Sequence, residues 1–161
     1  MQQTFKLRKF NINDLERITS INRACLPENY SDYFFLDLHR RFAETFIVAE
    51  ENGEVVGYIM CRIETGLSSF VFRGLVKKGH IVSVAVLPQY RRKGIGEALV
   101  VKAMENMRLY KAKHCFLEVR VANTAAVDLY RKLGFEVSRT IGSYYADGEE
   151  AYVMTRKFPS K

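Results

Sequence analysis

Several things are missing from this chain, and each absence narrows what it can be. No window is apolar for long enough to span a bilayer, and the opening stretch Met1 to Asn13 is polar rather than leader-like. Together these predict a cytoplasmic protein with no membrane partner. Cysteine is sparse: Cys25, Cys61 and Cys115 lie far apart, with no paired spacing. Three thiols so placed fit neither a zinc motif nor an even disulfide set, and read as buried side chains. No RGG tract or aromatic RNA-binding signature accompanies the basic residues, and no internal repeat or linker is visible.

What is present suits one globular domain spanning 1–161. The chain has 161 residues, of which 48% are hydrophobic and 27% charged, enough to close a core without staples. The net charge of +7 predicts anionic company: an RNA or ribosome surface, an anionic cofactor, or simply a soluble face. The basic clusters (Lys77-Lys78, Arg91-Arg92-Lys93, Arg131-Lys132) are dispersed, and charge alone does not choose among these.

Periodicity predicts a mixed α/β domain. Thr4 to Lys9 alternates as an opening strand. Asn13 is placed to cap a first helix, with Glu16 completing a capping box, and the helix stops before Pro27. The loop Leu26 to Tyr30 leads to an aromatic-rich helix capped by Ser31. Strands over Thr45–Glu50 and Glu54–Glu64 flank the hairpin signal Asn52-Gly53. Thr65 to Lys78, with Gly66 and Gly74, reads as a loop, with at most one helical turn. A strand at Ile81–Leu87 and a helix at Glu97–Tyr110 follow. The next strand, His114–Val121, returns parallel through that helical crossover. A helix at Thr124–Leu133 ends at Gly134, and Phe135–Ile141 and Glu149–Lys157 form a final hairpin. The expected architecture is one mixed, mostly antiparallel sheet with a central parallel βαβ unit.

Two stretches carry chemistry. In the first, an apolar strand closes at Pro88, a basic turn runs to Lys93, and Gly94-Ile95-Gly96 opens a long helix. It lacks the third glycine of a dinucleotide fingerprint and the Gly-Lys-Ser/Thr of a P-loop. It still aims consecutive amides and a helix dipole at one point, which suits a phosphate or pyrophosphate. In the second, Asn123 precedes Tyr130 by seven residues, two helical turns, with the small Ala125 and Ala126 between them. A capped helix with a core tyrosine is the plainer account of that second stretch.

Three strings carry a resemblance: Leu26-Pro27-Glu28-Asn29-Tyr30, Arg91-Arg92-Lys93-Gly94-Ile95-Gly96, and Tyr144-Tyr145-Ala146-Asp147-Gly148-Glu149. Over essentially its whole length the chain resembles the Gcn5-related N-acetyltransferase (GNAT) superfamily. Within it, the chain is similar to the catalytic subunits of NatA-type protein N-terminal acetyltransferases and their archaeal, Ard1-like relatives. The resemblance implies a GNAT fold of about seven strands and four helices, with acetyl-CoA as co-substrate. It implies that the backbone of Val84, Ala85 and Val86 holds the pantetheine arm and thioester. Amides of Arg92, Lys93, Gly94, Ile95, Gly96 and Glu97 would cradle the pyrophosphate, Asn123 would contact the cofactor, and Tyr130 would face the sulfur. Glu28 and Tyr30 on one loop and Tyr144 and Tyr145 on another would receive the substrate N-terminus. Eukaryotic subunits of this kind use a large auxiliary subunit; nothing in this sequence signals one, and ribosome association is a possibility the charge leaves open.

The reaction needs a base, since an α-amine with pKa of about 7.7–8.0 must lose a proton to become nucleophilic. The strand Cys115–Val121 is apolar except for Glu118 and Arg120, which share one face, and a carboxylate there is a costly placement unless it is paired or useful. The structural alternative is a Glu118–Arg120 pair, with His80 an ordinary strand-end histidine. The resemblance implies that Glu118 and His80 serve the amine through ordered water. Two ligands make a poor catalytic metal site, so no metal is expected. The reading that results is direct transfer of acetyl from acetyl-CoA to protein N-termini. Its rivals are an acetyltransferase for one ribosomal protein or a small amine, and a basic RNA- or ribosome-binding module that only holds acetyl-CoA.

Overall fold

The computed structural model describes residues 4–67 and 74–159. Among these, the elements in chain order are β1 (Phe5–Lys9), α1 (Leu15–Cys25), α2 (Asp32–Arg41), β2 (Ile47–Glu51), β3 (Glu54–Leu67), β4 (Leu75–Val86), α3 (Ile95–Met107), β5 (His114–Arg120), α4 (Thr124–Lys132), β6 (Glu136–Ile141) and β7 (Ala151–Lys157). The strands hydrogen-bond in the order β1-β2-β3-β4-β5-β7-β6. β4 and β5 are parallel, with Lys78, Gly79 and His80 opposite His114, Cys115 and Phe116. β1 with β2, β2 with β3, β5 with β7 and β7 with β6 pair antiparallel, so the mixed sheet with one parallel βαβ unit stands as expected.

The chain divides into two compact units, Met1–Arg62 with Ile81–Tyr110, and Ile63–His80 with Lys111–Lys161. In the first, Asn52 (φ +53°) and Gly53 (φ +79°) make the left-handed two-residue turn that the β2–β3 hairpin requires. The core gathers Phe10, Ile18, Ile21, Phe35, Leu38, Phe46, Val48 and Tyr58. Phe10 stacks on Phe46 with ring centroids 4.1 Å apart. α1 is amphipathic, and burying Ile18 and Ile21 removes two side chains from water at about 1.5–3 kcal/mol each. Gly57 has a packing reason: a Cβ there would meet the Ala85 carbonyl oxygen at 3.0 Å and Val86 Cγ2 at 3.2 Å.

The entry to α1 differs from expectation. The capping box sits two residues earlier, on Asn11 rather than Asn13. Asn11 Oδ1 accepts from the Asn13 amide (2.9 Å), and the Asp14 carboxylate accepts from the Asn11 amide (2.8 Å). Arg8 forks onto Asp14 at 2.7 and 2.9 Å and fixes that carboxylate in place, so Asp14 rather than Glu16 completes the box. Burial works against ionisation of Asp14, but the Arg8 guanidinium and the Asn11 amide outweigh it and hold the carboxyl below its ordinary range.

In the second unit, β5 pairs with β7 and β7 with β6, and α4 ends at Gly134 (φ +91°) as expected. The expected loop over Thr65–Lys78 is corrected at both ends. Thr65–Leu67 completes β3 and Leu75–Lys78 begins β4; Ser68–Arg73 lies outside the described residues. Glycine's weak strand preference misled there. Gly66 lies within the strand, and a Cβ there would meet the Lys78 side chain at an ordinary 3.4 Å.

Candidate active site

The second unit places a histidine between two carboxylates. His80, on β4, is 8% exposed. Its Nε2 lies 2.7 Å from Glu118 Oε1, on β5, and its Nδ1 lies 2.7 Å from Glu64 Oε2, on β3. The ring stacks face to face on Phe116, with centroids 4.3 Å apart and planes 7° apart, which holds its orientation. His80 and Glu118 therefore meet, as a base assembly requires. Glu64 was passed over in the sequence because it stands at the margin of an assumed loop. A carboxylate three residues past the buried apolar run Val55–Cys61 was the available signal.

Arg120 faces a different task from the structural pairing with Glu118 considered above. Its guanidinium reaches Asp147 at 3.1 and 2.9 Å and Glu149 at 3.2 Å, and it lies 4.0 Å from the Tyr145 ring centroid. The loop that carries Tyr144 and Tyr145 is thereby tied down. The amides of both tyrosines donate to the Glu149 carbonyl, and Gly148 donates to Tyr145. The Glu149 amide and Arg120 hold the Asp147 carboxyl below its ordinary range. Tyr144 is 44% exposed and packs edge-on against Tyr145, at 4.9 Å between centroids.

Asn123 and Tyr130 part company in exposure. Asn123 is exposed and caps α4, its Oδ1 accepting from the Ala126 amide at 3.2 Å. That leaves its side-chain nitrogen to offer a ligand. Tyr130 is buried and lies edge-on to Phe135, at 5.6 Å between centroids.

In the first unit, the turn before α3 has the shape an anion needs. Arg92 (φ +65°) and Gly94 (φ +85°) are left-handed, and a Cβ on Gly94 would meet nothing within 4 Å. The intrahelical ladder starts with Ala98 donating to Gly94, so the amides of Ile95, Gly96 and Glu97 have no i−4 carbonyl within the helix. The Arg91 side chain turns inward to the Val86 carbonyl (2.8 Å), and Lys93 pairs with Glu51 (3.1 Å). Backbone amides and the exposed Arg92 are what this turn presents to an anion. A pyrophosphate fits that donor set.

The loop with Glu28 and Tyr30 hangs on a buried polar network absent from the sequence reading. Asn22, 1% exposed, donates to the Glu28 carbonyl (3.1 Å) and to the Tyr58 hydroxyl (3.2 Å), and accepts from the Tyr30 amide (3.2 Å). Tyr58 in turn shares a 2.7 Å hydrogen bond with Ser83. Burial pushes the Tyr58 hydroxyl up to about 12, so it stays protonated. The signal was a polar residue at i+4 from Ile18 on the apolar face of α1. The Tyr30 ring stacks on Phe34 (4.8 Å), and its hydroxyl points at the Val82 carbonyl, 3.5 Å away. Burial pushes the Cys61 thiol up, which removes it as a nucleophile. Among the described residues, no group of three or more His, Cys, Asp or Glu is arranged to hold a metal ion. No helix among them is long and apolar enough to cross a membrane.

Comparison with known proteins gives this geometry a family. Residues 15–135 match the model of the Acetyltransferase (GNAT) family, and the chain belongs to it. An N-alpha-acetyltransferase from Sulfurisphaera tokodaii is 51% identical over 152 residues, 93% of this chain and 91% of that protein. Among solved structures, Ard1 from Thermoplasma volcanium superposes with a TM-score of 0.82 at 31% identity, over 98% of this chain and 99% of that one. Arabidopsis thaliana Naa50, in complex with the bisubstrate analogue CoA-Ac-MVNAL, gives a TM-score of 0.81 at 27% identity, over 96% and 99%.

Proposed function

We propose that this protein is an acetyl-CoA-dependent N-alpha-acetyltransferase of the NatA type, acting on the free α-amine of protein N-termini in the cytoplasm. The reading rests on the family membership and on relatives that carry that activity in their names. The observation that carries its chemistry is the 2.7 Å contact between the largely buried His80 and Glu118.

Acetyl-CoA supplies an acetyl group already activated as a thioester. The chain's own residues would do the rest. Amides from Arg92 to Glu97 bind the pyrophosphate at the α3 terminus, where the dipole favours negative charge. The backbone of Val84, Ala85 and Val86 aligns the pantetheine arm, and Asn123 offers its side-chain nitrogen. Glu118 with His80 removes one proton from the α-ammonium, and the freed amine attacks the thioester carbonyl. As the C–S bond breaks, Tyr130 donates its proton to the thiolate and is restored by the second proton leaving the nitrogen. Glu28, Tyr30, Tyr144 and Tyr145 receive the peptide through its backbone and first side chain.

The test is acetyl transfer onto a panel of peptides beginning Ser, Ala, Met-Leu or Glu, read by mass. Gain of one acetyl group at the N-terminus of peptides led by Ser or Ala is expected. Acetylation of small amines with every peptide left untouched overturns the proposal.

A further inference from the structure

The contact of His80 with Glu118 uses one ring nitrogen. The other is also engaged, and nothing in the reaction described so far employs it. Glu64 Oε2 stands 2.7 Å from Nδ1, as close as Glu118 stands to Nε2. A neutral imidazole carries a single N–H, so it can donate to only one of two flanking carboxylates. The opposite contact then sets a ring lone pair against a carboxylate oxygen, and that gap is completed by taking up one proton.

Exposure separates the two carboxylates. The Glu64 side chain is 39% exposed, whereas Glu118 is 17% and His80 10%. Among the described residues, the Lys78 ammonium lies 5.8 Å from the centroid of the Phe116 ring on which His80 stacks. Arg62 precedes Glu64 by two positions on the same strand, β3. The carboxylates in direct contact with the ring nitrogens are Glu64 and Glu118.

We propose that Glu64 is a positioning residue that holds His80 in the Nδ1–H tautomer and offsets the charge formed when Nε2 takes up a proton. The inference rests on Glu118 and His80 being the base of the proposed reaction. The α-ammonium N–H bond breaks, and its proton passes by way of the Glu118 carboxylate to the Nε2 lone pair. The ring becomes an imidazolium whose Nδ1–H stays donated to the ionised Glu64. After the product leaves, the Nε2 proton returns through Glu118 to water, and the ring resumes its starting tautomer. A carboxylate on the far nitrogen thus makes the near nitrogen the better acceptor, the arrangement that orients catalytic and metal-binding imidazoles generally.

The test compares wild type with Glu64→Gln and Glu64→Asp. In ¹⁵N spectra of histidine-labelled protein, read without substrate, wild-type His80 is expected as the Nδ1–H tautomer, and Glu64→Gln to alter that balance. With a peptide that wild type acetylates, Glu64→Gln should lower kcat roughly 10- to 100-fold with the acetyl-CoA KM unchanged. The pH profile of kcat should differ from that of wild type. Glu64→Asp should recover part of the rate. An Nε2–H tautomer in wild type, or a Glu64→Gln enzyme with unchanged kcat and pH profile, overturns the inference. Failure of wild type to acetylate any peptide would instead sink the functional reading, while the tautomer measurement would still decide the placement of Glu64.

Discussion

The turn before α3 and the cluster around His80 are built on opposite plans. The turn is made of neighbours in sequence, and it offers backbone: left-handed Gly94 and the first amides of a helix, with Arg91 and Lys93 tied back to the protein. The cluster is made of side chains from three strands, β3, β4 and β5, and only their particular atoms matter. A backbone site tolerates most side chains and fails when the dihedrals fail. A side-chain site survives most backbone adjustment and fails when one atom is exchanged. Binding a common anion suits the first plan, and moving a proton requires the second.

That contrast can be broken most sharply at Glu118. Glu118→Gln keeps the shape and removes the proposed base, so kcat should fall by roughly 10²–10⁴ while the acetyl-CoA KM holds, as steady-state kinetics on a Ser-led peptide will report. A smaller loss is expected from the network under the Glu28–Tyr30 loop. Asn22→Ala leaves the buried Tyr58 hydroxyl and the Glu28 carbonyl without their donor, and should cost about 1–3 kcal/mol in denaturant unfolding. It should also raise the KM for peptide more than that for acetyl-CoA.

At the turn, Gly94→Val forces a β-branched residue into φ +85° and should cost about 1–2 kcal/mol. The thermal stabilisation by added coenzyme A should shrink with it, whereas Lys93→Ala, which alters a side chain already paired with Glu51, should leave most of that stabilisation intact. The smallest effect is one of pH. Burial, with Lys78 and Lys157 nearby, holds the His114 imidazole below its ordinary 6.5. The unfolded chain then binds the proton more readily than the folded one. Stability should be full above about 6.5 and decline as pH falls toward the folded value. Tm measured from about pH 7 down to about pH 5 should fall more steeply for wild type than for His114→Gln.

Legibility in the sequence followed the same division. The β2–β3 hairpin, the Ser31 cap, the stop at Gly134 and the strand–turn–helix from Ile81 to α3 each depend on residues within a few positions of one another. Local chemistry was enough for these. Where a local signal misled, a tertiary contact had overruled it. Arg8 holds Asp14 where it completes the cap on Asn11, two residues before the Asn13 that the local pattern favoured. Glu118 drew notice as a carboxylate in a largely apolar strand, and His80 came with it through the neighbouring strand and the resemblance. Glu64 did not, since a glutamate beside two glycine-marked stretches looks like ordinary surface.

What the sequence alone determined about this protein was its class of architecture and the glycine turn that opens α3. Helix periodicity, glycine dihedrals and capping are properties of short segments, and they act before any distant contact forms. Only the tertiary structure decided that one histidine sits between two carboxylates, and that Asn22 suspends a loop from Tyr58 and Ser83. Those partners are 16 to 38 residues apart along the chain. Their meeting depends on strand register and burial, where a shift of one residue turns every side chain to the other face.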